Sequence, residues 1–220
     1  PTSHAPAPAR VRGVAAQRSG QSERSSLHWL FATDPGLAAS PLLLRRGGCQ
    51  FHWDNRGYGC FEHFLEQLTA KRRKEILRER RQVRDAGIEL VRLAGPEVTF
   101  AEWRSFHALY RNTFDRHGNF AALTLGFFRE VAATMGEQVL LVSARQHGEM
   151  RAAAYFLVGG DSLYGRYWGA AEDIPGLHFE ACYYQGIEYC IEQGLWRFEP
   201  GAQGEHKISR GFLPARTWSY

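Results

Sequence analysis

The chain has 220 residues, 44% of them apolar and 23% charged, and carries a formal net charge of +4. It is long enough to bury a real core and close to ordinary globular composition, which excludes disorder as the state of the whole chain. The mild positive balance singles out no partner. No run of about 18 apolar residues occurs, so no membrane span is expected. Cys49, Cys60, Cys182 and Cys190 show neither C-x-x-C nor zinc-finger spacing and read as free thiols of a reducing compartment, the cytoplasm.

Residues 1–25 are rich in Ala, Pro, Arg and Ser, and no apolar targeting segment follows them, so a disordered leader is expected. A short strand over Ser25–Phe31 ends at Asp34-Pro35-Gly36, and a short helix follows over Leu37–Leu44. Arg45-Arg46-Gly47-Gly48 reads as a turn, Cys49–Trp53 as a strand, and Asp54–Gly59 as a loop. One long helix is predicted from Phe61 to Ala86, stopped by Gly87. A strand at Ile88–Leu93 leads to amphipathic helices at Phe100–Asp115 and Leu125–Met135. Val139–Ala144, Arg151–Val158 and Leu163–Trp168 read as an antiparallel meander joined by Gly-containing turns. A helix over Leu177–Gln193 ends at Gly194, and Leu195–Glu199 forms one more strand. This order predicts an α/β fold with a mixed sheet and helices packed on it.

The Gly-rich loop from Gly201 to Gly204 follows a strand, so its backbone N–H groups can approach an anion or a developing oxyanion closely. Lys207 and Arg210 add charge three residues apart, and His206 trades a proton near neutral pH. Such a group suits acyl transfer, and it equally suits a surface turn with solvated charges. In the Leu177 helix, Phe179, Cys182, Tyr183, Gly186 and Cys190 share an apolar face, which leaves His178, Glu180, Tyr184, Gln185 and Glu188 on polar flanks. Glu180 either complements the helix dipole or serves as general base with Tyr183 or Tyr184 as acid. Alternation puts Arg166 and Trp168 on one face of a strand and Tyr167 on the other, where an Arg beside aromatics grips a phosphate or sugar, or packs its stem.

From Lys71 to Asp85 there are eight basic residues and three acidic ones, a local excess larger than that of the whole chain. Glu75 with Lys71 or Arg78, and Arg81 with Asp85, have the spacing to compensate part of it as a solvated helix face. The other reading is an anion-binding surface formed by Lys71, Arg72, Arg73, Arg78 and Arg80, for tRNA, a nucleotide-linked precursor or anionic lipid. No His/Cys cluster has ligand spacing, so no metal is expected.

Five blocks stand out together. They are His52-Trp53-Asp54-Asn55-x-Gly57-Tyr58; Lys71-Arg72-Arg73-Lys74 through Glu79-Arg80; Tyr164-Gly165-Arg166-Tyr167-Trp168-Gly169; His178-Phe179-Glu180-x-Cys182-Tyr183-Tyr184-Gln185; and Gly201-Ala202-Gln203-Gly204-Glu205-His206-Lys207 with Arg210-Gly211-Phe212. The combination resembles the FemAB-like branch of the GNAT acyltransferase superfamily, the bacterial group described as peptidoglycan biosynthesis or recognition proteins. The resemblance runs from about Ser25 to Tyr220. It implies a GNAT-like acyl-CoA N-acyltransferase fold, with residues 26–60 as the remnant of a first GNAT-like subdomain and residues 61–220 as a GNAT-like domain opening on the basic helix. It also implies acyl or aminoacyl transfer to an amine on a small molecule or a peptidoglycan precursor, with acyl-CoA or aminoacyl-tRNA as donor.

Lys207 matches the lysine implicated in acyl transfer. Arg210, His206 and Glu180 complete the candidate catalytic set. Arg166, Tyr167, Trp168, Tyr183, Gly201, Gln203 and Gly204 are the candidate substrate contacts. The basic-x-x-Gly-x-Gly/Ala loop that holds the coenzyme A pyrophosphate is not found, so no cofactor is assigned. The rival expectation is a non-catalytic module of the same fold that recognises a cell-wall precursor or RNA.

Overall fold

Every second residue of the central strands is apolar on each side, so the sheet has two buried faces and takes helices on both. The computed structural model describes residues 38–39, 41, 43–201 and 204–220. The expected leader, the strand at Ser25–Phe31 and most of the helix at Leu37–Leu44 fall outside these residues. The chain divides into two compact units, one spanning Phe51–Leu213 and the other combining the described residues up to Gln50 with Pro214–Tyr220.

The elements in chain order are β1 (Arg46–Asp54), α1 (Phe61–Glu66), α2 (Ala70–Asp85), β2 (Glu89–Ala94), α3 (Phe100–Arg116), α4 (Leu125–Met135), β3 (Val139–Gln146), β4 (Glu149–Gly159) and β5 (Ser162–Ala170). Next comes α5, which starts at Leu177–Phe179, passes through a π-helical turn at Glu180–Tyr184 and continues as Gln185–Glu192. The short strand β6 (Arg197–Glu199), a 3-10 turn at Glu205–Arg210 and β7 (Leu213–Ser219) complete the chain. Among the described residues no helix is long and apolar enough to cross a membrane.

In the larger unit the strands run in the order β2-β3-β4-β5-β6, with the Trp53–Asp54 end of β1 beyond β6. Neighbours are antiparallel except β5 and β6, which are parallel and joined by α5 as a parallel pair requires. The mixed α/β class expected from the sequence is the class observed. Leu140, Val142, Ala154, Phe156 and Leu163 pack under α1, α2 and α5. Val139, Leu141, Ala153 and Tyr155 pack under α3 and α4 with Trp103, Phe106 and Phe128. At Gly169 a Cβ atom would stand 2.4 Å from the backbone carbon of Leu109, so the α3 backbone lies directly on β5 there.

In the smaller unit the Arg45 guanidinium lies 4.0 Å from the Trp218 ring centroid. Gly47 leaves room for the same indole.

Three local expectations are corrected. The single helix at Phe61–Ala86 is two helices, because Thr69 turns to extended backbone and its side chain accepts from the Arg72 N–H, starting α2 afresh. The turn placed at Arg45–Gly48 is instead mostly strand, since β1 begins at Arg46, and β7 had no counterpart in the sequence reading. The polar flank of α5 is not an outer face: Glu180, Tyr184 and Gln185 are buried.

Candidate functional site

Strands β5 and β6 pair only at Ser162–Tyr164 with Arg197–Glu199, yet β5 continues to Ala170. Just past Tyr164 the backbone still runs beside β5, since a Cβ at Gly165 would stand 3.1 Å from the Pro200 Cα, and the pairing with β6 ends there. In open α/β sheets such a parting of strands is where ligands lodge. The turn Glu205–Arg210 and the start of α5 converge there.

The turn buries its two basic residues. Lys207 is 2% exposed, its Nζ donates to the Gly201 carbonyl at 2.8 Å, and it forms no ion pair among the described residues. Loss of hydration lowers its pKa from the usual 10.5 to about 8. The Tyr183 hydroxyl and His206 Nε2 are 2.9 Å apart, with the two rings stacked. Burial, followed by the charges of Arg210 and Lys207, lowers the His206 pKa, so its imidazole is neutral at pH 7. His178 lies edge-on to Tyr183 and Trp168, and burial together with the same cationic neighbours pushes it down to about 4. Burial pushes the Tyr183 phenol up, so it remains a proton donor.

Arg210 faces the other way. Its Nη2 meets Glu79 Oε1 at 2.5 Å, its Nε donates to the Tyr184 hydroxyl at 3.1 Å, and Nη1 donates to the His206 carbonyl at 2.9 Å. The guanidinium also stacks 3.4 Å from the Phe179 ring centroid. The Tyr184 hydroxyl donates to the second oxygen of Glu79.

Glu180 is likewise held. Arg80 grips both its oxygens at 3.1 and 3.2 Å and reaches Glu188 at 2.6 Å. Arg92 on β2 closes the network through Gln185 and Glu188.

Of the residues singled out in the sequence, His206, Lys207, Tyr183, Gly201 and Gly204 come together around the turn. Trp168 joins them through His178. Tyr167 lies on the opposite face of the sheet, edge-on to Tyr110 and Phe128. Arg166 is the extra residue of a bulge in β5, since Tyr155 pairs Tyr167 while Phe156 pairs Gly165, and its guanidinium sits over Tyr164. Gln203 is outside the described residues. Arg80 faces inward, whereas Lys71 and Arg78 are exposed and Arg72 and Arg73 half-buried. The compensating pairs expected along α2 do not form: among the described residues Lys71, Arg72, Arg73, Lys74, Arg78, Arg81 and Arg84 make no ion pair. Arg73, Lys74, Arg78 and Arg81 line an open groove of about 450 Å³ with Ala70 and Leu77.

A family model described as FemAB-like, peptidoglycan biosynthesis/recognition, matches residues 5–220. The chain belongs to the FemAB-like family. Its fold is shared by solved structures at low identity. FemX aligns with a TM-score of 0.59 at 11% identity, covering 88% of this chain and 65% of that one. The C-terminal domain of a lysylphosphatidylglycerol synthetase from Agrobacterium fabrum gives 0.54 at 12%, with 80% and 61% covered. A conserved protein of unknown function from Bacteroides thetaiotaomicron gives 0.58 at 10%, with 96% and 74% covered. This FemAB-like chain thus spans less than two thirds of the length of FemX and of the synthetase domain. No curated protein matches it.

The site adds residues the sequence reading passed over. Glu79 occupies a position of α2 between the core residues Ile76 and Val83 at helical spacing. An acid on the apolar stripe of a basic helix was the available signal. His178 carried none beyond its place in a motif block.

Proposed function

We propose that this chain transfers an acyl or aminoacyl group to an amine, on a peptidoglycan precursor, at the turn that carries His206 and Lys207. The observation that carries this is Lys207: a buried amine with a lowered pKa and, among the described residues, no carboxylate partner, where the pairing of β5 with β6 ends. Structural lysines are seldom buried unpaired, so such a group marks a site of chemistry.

The acceptor amine attacks the carbonyl carbon of the donor, a C–N bond forms and the carbonyl oxygen gains negative charge. Protonated Lys207 stabilises that oxygen in a site of low dielectric. Neutral His206 takes the proton released by the amine on Nδ1, while its Nε2–H donates to the Tyr183 hydroxyl oxygen, which holds the ring. The C–O bond of an ester donor, or the C–S bond of a thioester, then breaks and the leaving group takes the proton from the His206 imidazolium, which returns to neutral. Arg210 and Glu180 are committed to Glu79 and Arg80, so they shape the site rather than react.

The donor favoured here is an aminoacyl-tRNA. The support is the seven cations of α2 that make no ion pair among the described residues, a face suited to a phosphate backbone. The reaction belongs in the cytoplasm, where unbridged cysteines persist.

The test is transfer of a labelled amino acid from bulk aminoacyl-tRNA, or a labelled acyl group from acyl-CoA, to a UDP-linked muropeptide. Transfer by the wild type, lowered on the order of 10²-fold or more in Lys207→Met, is the expected result. No transfer from either donor, or full activity in the variant, overturns it.

A further inference from the structure

A carboxylate is costly to bury, and Glu79 is 6% exposed on the one stripe of α2 that enters the core. Both its oxygens are spent on residues far along the chain. Arg210, 131 residues away, takes one at 2.5 Å, and Tyr184, 105 residues away, donates to the other. Arg210 also reaches Tyr184, so α2, the π-helical turn of α5 and the Glu205–Arg210 turn meet in a closed triangle. The triangle adjoins the residues that react. Arg210 Nη1 fixes the carbonyl of His206, and Tyr183, next to Tyr184, meets the His206 ring. The segment entering α5 is seated on the same spot: a Cβ at Gly176 would stand 2.9 Å from the Glu79 carbonyl oxygen.

We infer that Glu79 is a positioning residue for the transfer reaction: through Arg210 and Tyr184 it fixes the turn that presents His206 and Lys207. This rests on the function proposed above, and its effects can be separated from that function. If Glu79 only stabilised the fold, its loss would loosen all core amides together through global unfolding. A positioning residue loosens the turn it holds and leaves the rest.

The experiment compares wild type with Glu79→Gln, which keeps the shape and one hydrogen bond but removes the charge. Hydrogen exchange is followed at the amides of Lys207, Gly211 and Phe212, which bond within the turn, and at β3 and β4 as reference. Exchange of the turn amides at least about tenfold faster, with β3 and β4 unchanged, is expected. Unchanged or uniformly faster exchange overturns the inference. In the transfer assay kcat should fall on the order of 10²-fold, the cost of misplacing a reacting group by about 1 Å, with both KM values within about twofold. An unchanged kcat also overturns it.

Should Glu79→Gln fail to fold, the double variant Glu79→Met/Arg210→Met leaves no orphaned charge in the core. The same selective loosening is expected there, and wild-type exchange and kcat would refute the inference. If the wild type transfers nothing from either donor, the proposed function falls, and the exchange measurement alone decides the role of Glu79.

Discussion

Replacing Lys207 by Met tests the site without any substrate. The folded protein holds Lys207 at a pKa of about 8, whereas the unfolded chain has the ordinary 10.5. Between those values the unfolded state binds more protons than the folded one, so stability rises with pH across the window. Below about pH 8 both states carry the charge and the folded state bears the full cost of burying it. Above 10.5 both are neutral and the cost is gone. The span is worth on the order of 3 kcal/mol. Met fills a similar volume and does not titrate, so the difference in unfolding free energy between wild type and Lys207→Met cancels every other titrating group. That difference should move towards the wild type by about 3 kcal/mol from pH 7 to pH 11, or roughly 6–12 °C in relative Tm for a chain of this size. Paired thermal melts across that range supply the measurement. A difference that stays flat with pH would show that Lys207 is not desolvated, and the chemistry assigned to it would lose its basis.

Two further substitutions test the packing that frames the site. Tyr155 is 2% exposed, its hydroxyl has no hydrogen-bond partner among the described residues, and burial raises its pKa to about 12. Tyr155→Phe should therefore stabilise the protein by about 1 kcal/mol, and a lower denaturant midpoint would contradict that. Gly169→Ala forces a methyl group to within 2.4 Å of the α3 backbone. It should cost about 3 kcal/mol in chemical denaturation, and a neutral result would mean that α3 does not lie on β5 as described.

What the sequence made legible was whatever local periodicity encodes. The helix at Leu125–Met135 is observed with the expected bounds, because Thr124 caps it and Gly136 ends it. The meander from Val139 onward was readable because its first two strands are short, nearly continuous apolar runs and each turn contains glycine. The break before Thr69 was not, since the residue three beyond it is Arg72 and no capping-box acid marks the start. Around the site, the glycines and cations of Gly201–Arg210 marked a candidate, and the family resemblance singled out Lys207 within it. The burial of Glu180, Tyr184 and Gln185 was not legible, because it depends on Arg80, Glu79 and Arg92, each about a hundred residues away in sequence. Glu79 shows the same limit: pattern places it on the inner stripe of α2, and only the tertiary structure supplies the arginine that makes that placement tolerable.

The π-helical turn at Glu180–Tyr184 gives α5 one residue more than a regular helix would use for the same rise. Deleting a single residue there would mend the backbone bonding and keep the flanking turns in register, while residues left inside the turn move by up to about 100° about the axis. Tyr183 and Tyr184 would then lose His206 and Glu79 in one step, although neither had been replaced. For this segment, length is therefore under tighter constraint than composition. A variant library that tolerates many side chains at Ala181 or Cys182 should tolerate almost no indels across the same five positions.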